Sequence, residues 1–554
     1  MSSLDSQTGD VRLTPPSSGA EWAWVLVVSL LILLLSSIPY LVAYHAQTTS
    51  LIFSGAVFDR ADYAVHLASM HLGARGEWKY HFLFTHEPHP GAYVKLGYIA
   101  LGQLAGLLRL SLPLMYHLAR LFFGFTACLV IYLLSVFTFK EVYWRRICFL
   151  LAILGSGFGW FQILLGWLPK ADISPIDFWL VDGYVFFSIL VFPHFAAVIT
   201  LVVGMIVTYL AYLRRERWWL LGISIALGVC AQAIQPYSPL LGDIAILGAL
   251  AGFSWQKKVI RWRDIGILLG FAISQIPLFV YNGMVLKSNP VWVSFLTQNT
   301  TLSPPPEYYL WGYIFFWPFV ILGMWHLLIS LITGKASSEV DRLPGLVAAM
   351  SWTIGVLVLA YLPSVLQRRF LLAYTVPLGI LSVFGLKTVV SPWLERHMSG
   401  WWRRKKGIIP VFIVAFAMIS SLILSISTAW NLSMRSQKFF DSAALVKAVD
   451  WLGVQALSSD VVLSSEVTGQ LVAARVGLPV YLGHPIETMD YQTKLVQVQD
   501  FYQGKIDPDL MYSNGVRWVV FGPAEKQLLG LDKFVTGLKK AYQVDDVVIY
   551  QLNP

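Results

Sequence analysis

The chain has 554 residues, of which 56% are apolar and only 13% are charged. Soluble domains contain about 25% charged residues, so most of this apolar surface is expected to face lipid, and the composition predicts a polytopic membrane protein. A formal net charge of +9 would suit a nucleic-acid partner. The basic residues, however, form short clusters between apolar runs, which is typical of cytoplasmic loops, and we therefore expect no nucleic-acid binding.

Eleven apolar runs are predicted to cross the membrane, because each approaches the about 20 residues that span about 30 Å of hydrocarbon. Placing the basic loops in the cytoplasm makes these runs alternate, beginning inside and ending outside. A further run, 91–108, would break the alternation if it crossed, and the sequence leaves this open. The eleven runs are 22–44, 116–139, 147–168, 193–213, 218–235, 240–254, 265–286, 308–332, 344–363, 370–389 and 408–428.

The remaining segments define the predicted domains. Residues 1–21 form a polar tail, residues 22–429 form the transmembrane bundle, and a hydrophilic loop at 45–90 follows the first span. Residues 430–554 are predicted to form an extracytoplasmic α/β domain. Its β-rich runs, 461–464, 516–521 and 547–551, alternate with helical runs at 443–457 and 526–542.

The first external loop carries paired carboxylates at the start of a predicted helix that runs through Leu72 and is bounded by Gly73. Asp59, Asp62 and His66 have spacings that place them on one helix face. Of two nearby carboxylates that are partly desolvated at a membrane surface, at least one is expected to have a raised pKa, which suits a general base. The alternative interpretation is structural: Asp59 caps the helix and Asp62 is solvated on its first turn.

Two adjacent arginines, Arg368 and Arg369, lie between apolar runs on the side where basic residues are not expected. A guanidinium binds phosphate through two parallel N–H groups, so a lipid phosphate at the outer headgroup level would fit. The alternatives are an ion pair with the first loop or a snorkelling contact to bulk lipid.

Further candidate substrate-binding residues lie on the same predicted outer side, in the first loop, at the mouths of later spans and in the C-terminal domain. Imidazole and carboxylate groups suit zinc or manganese, but the histidines of the first loop lack a tight ligand spacing, and the metal requirement stays open. These candidates are His66, His89, His194, Tyr237, His484 and Glu487.

The arrangement resembles the GT-C superfamily of membrane glycosyltransferases, which includes protein O-mannosyltransferases, aminoarabinose transferases and oligosaccharyltransferases. One anchor span leads into an external loop with acidic residues near its start, and a bundle and an extracytoplasmic α/β domain follow. The matching motifs lie at 59–63 (DRADY), 192–194 (FPH), 367–370 (QRRF) and 483–488 (GHPIET). They are most similar to poorly described bacterial members of the superfamily.

The resemblance implies an inverting transfer at the outer face of the plasma membrane. The donor is a sugar on a polyprenyl phosphate, and the acceptor is a glycan, a lipid or a protein. Asp62 or Asp59 would deprotonate the acceptor hydroxyl, and Arg368 with Arg369 would stabilise the departing lipid phosphate. The family's acidic residue often belongs to an Asp-Asp, Asp-Glu or Asp-x-Asp unit. Here the carboxylates are three positions apart, so which one acts stays open.

Two other functions are compatible with a membrane bundle. A transporter or flippase for a lipid-linked or small anionic solute would need ionisable residues deep within spans, and Asp243 is the main intramembrane carboxylate. A scaffold or sensor would use the C-terminal domain to bind a glycan or a protein partner. Solute uptake without a glycosyl donor would favour the first alternative, and full activity without the C-terminal domain would argue against the second.

Overall fold

A computed structural model describes residues 18–167, 174–260, 262–334, 342–398, 400, 407–529 and 538–552. The chain divides into two compact units. The first, called the bundle unit, comprises Met1–Leu35, Phe122–Pro277 and Leu302–Leu424. The second, called the α/β unit, comprises Ser36–Leu121, Leu278–Thr301 and Ser425–Pro554.

Helices dominate the fold. Up to residue 334 they are α1 Gly19–Ala46, α2 Arg60–Ala74, α3 Leu96–Leu108, α4 Leu112–Thr138, α5 Val142–Leu154, α6 Gly159–Leu164, α7 Val185–Val191, α8 Pro193–Arg215, α9 Trp218–Ile234, α10 Pro239–Lys257, α11 Trp262–Val285, α12 Pro290–Gln298, α13 Pro306–Gly312 and α14 Trp317–Thr333. They continue as α15 Leu343–Leu359, α16 Thr375–Gly385, α17 Ser391–His397, α18 Ile408–Ala417, α19 Ile419–Ser433, α20 Ala443–Gln455, α21 Glu466–Val476, α22 Tyr491–Tyr502, α23 Pro508–Ser513 and α24 Pro523–Lys526. Short 3-10 helices cover Ile176–Phe178 and Gln367–Leu371, and the π-helical turn Leu386–Val390 joins α16 to α17.

The chain is a multi-pass membrane protein, as its composition predicts. Among the described residues, 6 helices are long and apolar enough to cross a bilayer, or 7 if a helix pair bent by 93° counts as one span. The bent pair is α13 and α14. The six are Gly19–Ala46, Leu112–Thr138, Pro193–Arg215, Trp262–Val285, Thr375–His397 and Ile408–Ser433.

Four other predicted spans are not among these helices, and a helix break accounts for one of them. The run 147–168 is interrupted after α5 at Gly155, whose backbone is extended. The runs 218–235 and 344–363 become helices of 17 residues each. The run 240–254 becomes α10, which is not among the six.

The run 91–108, which the sequence left open, forms α3, a helix of 13 residues. At 1.5 Å per residue such a helix is about 20 Å long, and the hydrocarbon core is about 30 Å thick. A helix of this length is too short to span the hydrocarbon core by itself.

Small residues allow close helix contacts in the bundle unit. Ser351 on α15 donates a hydrogen bond to the carbonyl of Ile244 on α10, at 3.0 Å. A Cβ added to Gly248 would overlap the Ser351 hydroxyl, so only glycine fits at this crossing. Packing through small side chains is the usual way in which membrane helices associate, because lipid provides no hydrophobic force between them.

A four-stranded sheet lies at the centre of the C-terminal region. Its strands are β3 Val461–Leu463, β4 Val516–Phe521, β5 Lys539–Val544 and β6 Val547–Gln551, in the order β3-β4-β6-β5. β3 runs parallel to β4, and the other pairs are antiparallel. Buried side chains cover both faces of the sheet. This confirms the α/β character predicted for the C-terminal region.

The helix predicted over 526–542 is wrong at both of its ends. α24 ends at Lys526, and Lys539–Val544 is strand β5, which pairs with β6. Residues 530–537 lie outside the described residues. Local helix propensity is weak here compared with the backbone pairing that β6 offers.

The first loop and the C-terminal region form one folded body in the α/β unit. Strand β1, Leu51–Phe53, pairs antiparallel with strand β2, Phe440–Ser442. Val480 donates a backbone hydrogen bond to the Leu83 carbonyl at 2.7 Å, and His71 on α2 lies 3.0 Å from the Ala474 carbonyl through its Nε2 atom. α2 is therefore held from the C-terminal side of the chain, and this fixes the position of the carboxylates at its start.

We predict that Gly102→Ala lowers Tm, because the added Cβ would overlap the carbonyl oxygen of Met70 where α3 crosses α2. Overpacking of this kind costs about 1–3 kcal/mol. Gly106→Ala is the matched control on the same helix, since its Cβ would lie 3.4 Å from the Ala74 carbonyl oxygen. There the better helix propensity of alanine leaves Tm equal or higher. The measurement is thermal unfolding followed by tryptophan fluorescence, and an unchanged Tm in Gly102→Ala would contradict the described α2–α3 contact.

We predict that His71 makes the α/β unit acid-sensitive. Burial is the main reason why the pKa of His71 falls to about 4, and the charge of Arg75 lowers it further. The unfolded chain takes up the proton near pH 6.5, so stability is complete above that pH and is lost as the pH falls towards about 4, by up to about 3 kcal/mol. His71→Gln keeps a donor for the Ala474 carbonyl and removes the titration. Its Tm should fall less than that of the wild type between pH 7 and pH 5. If the Tm of both proteins falls equally over this range, the acid sensitivity does not come from His71.

Candidate functional site

The two carboxylates at the start of α2 have different roles in the structure. Asp59 is the N-cap, and its side chain accepts a hydrogen bond from the backbone N–H of Asp62 at 3.1 Å. The protein around its carboxyl raises the pKa of Asp59, and the charge of Asp62 raises it further. The capping interpretation therefore holds for Asp59, and its carboxylate is committed to the helix terminus.

Asp62 is held by a histidine from the C-terminal region. The Nε2 atom of His484 lies 3.4 Å from Asp62 Oδ1, and the exposed fractions of the two side chains are 6% and 39%. His484 Nδ1 accepts the backbone N–H groups of Ile486 and Glu487, at 3.1 and 3.3 Å. We assign the ring proton to Nε2, because a nitrogen that accepts cannot also carry the proton in neutral imidazole. The Nε2–H group therefore points at a carboxylate that a substrate can still reach.

Glu487 is part of a buried ion pair in the α/β unit. Tyr80 donates its hydroxyl hydrogen to Glu487 Oε2 at 2.5 Å, and the Lys95 ammonium pairs with Oε1. The Lys95 ammonium also lies over the Tyr80 ring, 4.5 Å from its centroid. These contacts tie the segment before α3 to the turn that carries His484, so Glu487 supports the site instead of facing it.

Two other histidines of the first loop make contacts inside the protein. His66 is buried and stacks on Tyr98, with ring centroids 4.1 Å apart. His89 Nε2 accepts the backbone N–H of Phe82 at 2.9 Å, and its Nδ1 lies 2.8 Å from the Glu87 carbonyl oxygen. Within the described ranges, no group of three or more His, Cys, Asp or Glu side chains is placed to hold a metal ion.

A cationic site lies in the bundle unit. Arg368 and Arg369 belong to the 3-10 helix Gln367–Leu371. The Arg368 guanidinium lies over the Trp179 ring, 5.4 Å from its centroid, and Arg369 donates a hydrogen bond to the Tyr237 hydroxyl. Burial raises the pKa of Tyr237 to about 12, so this hydroxyl stays protonated. The sequence predicted Arg369 and Tyr237 as separate candidates, and the structure places their side chains in contact.

A carboxylate that the sequence analysis missed accompanies these arginines. Asp182 is buried, and burial raises its pKa while the charges of Arg369 and Arg368 act in the opposite direction. The backbone carbonyl of Asp182 accepts the N–H of Ala373 at 3.1 Å, just after the 3-10 helix. Two guanidiniums near one carboxylate leave a positive excess, which suits an anionic ligand such as phosphate. The sequence feature that could have revealed Asp182 is its position beside Gly183, at the edge of an apolar run.

His194, on the first turn of α8, contacts aromatic rings. Its centroid lies 5.5 Å from that of Phe192 and 4.1 Å from that of Phe195. Asp243, the carboxylate that would serve a transporter, accepts a hydrogen bond from the Gln275 amide at 3.1 Å on the neighbouring α11. The role of His194 in substrate binding stays a prediction.

No family model matches the chain, and no curated protein matches it. Several solved structures are similar to it. An Archaeoglobus fulgidus oligosaccharyltransferase with a tethered acceptor peptide is 14% identical, at a TM-score of 0.46, over 90% of this chain and 69% of that one. ArnT from Cupriavidus metallidurans bound to undecaprenyl phosphate is 13% identical, at a TM-score of 0.47, over 97% and 99% of the two chains.

The arabinofuranosyltransferase AftD from mycobacteria is also similar, at 14% identity and a TM-score of 0.45. That match covers 98% of this chain but 40% of AftD.

Proposed function

We propose that the protein is a GT-C type glycosyltransferase that acts at the outer face of the plasma membrane. It would transfer a sugar from a polyprenyl-phosphate donor to an acceptor hydroxyl, with inversion at the anomeric carbon. The observation that carries the proposal is the Asp62–His484 contact of 3.4 Å, in which a buried imidazole holds an accessible carboxylate. The alternative of a transporter has no comparable site among the described residues.

Asp62 is the proposed general base, and Asp59 is its cap-forming neighbour. The Asp62 carboxylate takes the proton of the acceptor hydroxyl while that oxygen bonds to the anomeric carbon. The bond from this carbon to the phosphate oxygen breaks, and its electron pair leaves with the polyprenyl phosphate. The His484 Nε2–H group fixes the orientation of the carboxylate, so that one oxygen faces the acceptor.

Arg368 and Arg369 would bind the phosphate that leaves. A phosphodiester carries one negative charge and gains a second as the sugar departs, so paired guanidiniums stabilise the transition state more than the donor. One such interaction is worth about 3 kcal/mol. Asp182 and the Trp179 ring hold the arginines in place.

We predict that Asp62→Asn abolishes transfer, with a loss of at least about a hundredfold, since general-base catalysis typically contributes about 10²–10⁴-fold. Asp59→Asn should lose less than about tenfold, because asparagine caps a helix as well as aspartate does. Transfer is measured with purified protein in nanodiscs, a panel of undecaprenyl-phosphate sugars and methyl glycosides as acceptors, by release of undecaprenyl phosphate.

Both variants should keep the wild-type Tm within a few degrees. Transfer that survives in Asp62→Asn and in Asp59→Asn alike would show that the assigned mechanism is wrong. The same assay with a chelator determines whether a divalent cation takes part.

We predict that Arg368→Gln and Arg369→Gln each weaken binding of undecaprenyl phosphate at least about tenfold, because each removes a two-pronged contact to the anion. Arg369→Lys should also weaken it, since an ammonium cannot reproduce the fork. Arg263→Gln is the matched control, as Arg263 is a partly exposed arginine paired with Glu216 at 3.3 Å. Native mass spectrometry counts the bound lipid. Equal occupancy in all four variants would refute a phosphate site at these arginines.

A further inference from the structure

A cavity of about 770 Å³ lies beside the N-terminus of α2, and all of its lining belongs to the α/β unit. Its size falls within the range of about 300–1,000 Å³ that small-molecule sites occupy. The segment that begins α2, strand β2 and helices α21 and α24 each provide part of the wall. Its lining includes Phe58, Asp59, Arg60, Asp441, Gln470 and Ala524.

The charges of this cavity balance. Arg60 Nη2 and Asp441 Oδ1 are 2.7 Å apart, and the exposed fractions of the two side chains are 8% and 5%. The other charged residues of the lining are Asp59 and Lys438, which have opposite signs. A phosphate or another anion would therefore find no excess of positive charge here, in contrast to the arginine site of the bundle unit. The balance favours an uncharged ligand.

The wall combines flat apolar surface with hydrogen-bonding groups. Phe58 and Val467 offer apolar contact, and Gln470 and Gln527 bring amide groups. The second oxygen of Asp441, Oδ2, is buried and has no hydrogen-bond partner within the part of the chain that the structure describes. A saccharide presents both apolar C–H faces and hydroxyl groups, so it matches such a wall better than a hydrocarbon chain does.

We propose that this cavity binds an uncharged saccharide and that this saccharide is the acceptor. The second half of this inference rests on the proposed function. Asp59 lines the cavity, and Asp62 is its neighbour three positions along the same helix. Residues with this spacing are about 5–6 Å apart at Cβ, so a hydroxyl of a sugar at the Asp59 end comes close to the proposed base.

The test measures binding without transfer. Saturation-transfer NMR on the full chain in nanodiscs uses methyl glycosides of mannose, glucose, galactose and arabinose, together with glucuronic acid and glucose 6-phosphate as charged counterparts. At least one uncharged glycoside should give a signal, which Ala524→Trp should reduce at least about fivefold by filling the cavity. Gln527→Trp fills the cavity from an exposed position of its lining and should reduce the signal to a similar extent. Lys526→Trp, on the same helix but outside the lining, is the matched control and should leave the signal unchanged.

Each outcome decides the proposal. Absence of signal from every uncharged glycoside, stronger signals from the charged sugars, or signals that both cavity-filling variants leave intact would overturn it. The readout is binding of the glycoside and does not depend on transfer. Binding without transfer in the panel assay would refute the glycosyltransferase and keep the saccharide site. Transfer in the panel assay without glycoside binding in the NMR experiment would overturn the saccharide site and keep the glycosyltransferase.

Discussion

The buried ion pair between Arg60 and Asp441 is the contact on which the α/β unit depends. It joins the first turn of α2 to strand β2 over a separation of 381 positions, beside the pairing of β1 with β2. A buried ion pair contributes little net stability, since desolvation offsets the attraction, but losing one partner is strongly destabilising. Its effect here is to fix where α2 begins, and with it the direction of Asp59 and Asp62.

The proposed base illustrates how a tertiary contact changes the meaning of a residue. Asp62 alone is an acidic residue on a first helical turn, which favours the helix dipole. The backbone N–H groups at 486 and 487 set the tautomer of His484, and the resulting Nε2–H group faces Asp62. The same turn is anchored by Glu487 through Lys95 and Tyr80. A general base needs such support because its orientation must persist while solvent has access.

The bundle unit and the α/β unit present opposite electrostatics. The arginine site has two guanidiniums for one buried carboxylate, Asp182, and suits an anion. The cavity beside α2 has balanced charges and suits a neutral ligand. A transferase that handles a lipid phosphate and a sugar hydroxyl needs both environments.

Local patterns in the sequence determined the membrane character, helix α2, and strands β4 and β6. Each of these follows from hydropathy or from the backbone hydrogen-bonding period, which act over a few residues. The breaks in the spans at Gly155 and between α13 and α14 came from packing that hydropathy does not register. Edge pairing with β6 likewise produced β5 where local propensity favoured a helix.

The candidate site divides in the same way. Residue type alone pointed to Asp59, Asp62, Arg368 and Arg369, because carboxylates and guanidiniums are rare beside apolar runs. Only the tertiary structure decided that Asp59 caps the helix, that His484 reaches Asp62, and that Asp182 accompanies the arginines. It also showed that the side chains of His66 and Glu487 contact other side chains of the same chain. Such pairings join distant parts of the chain. They depend on the chain topology, which no local sequence pattern encodes.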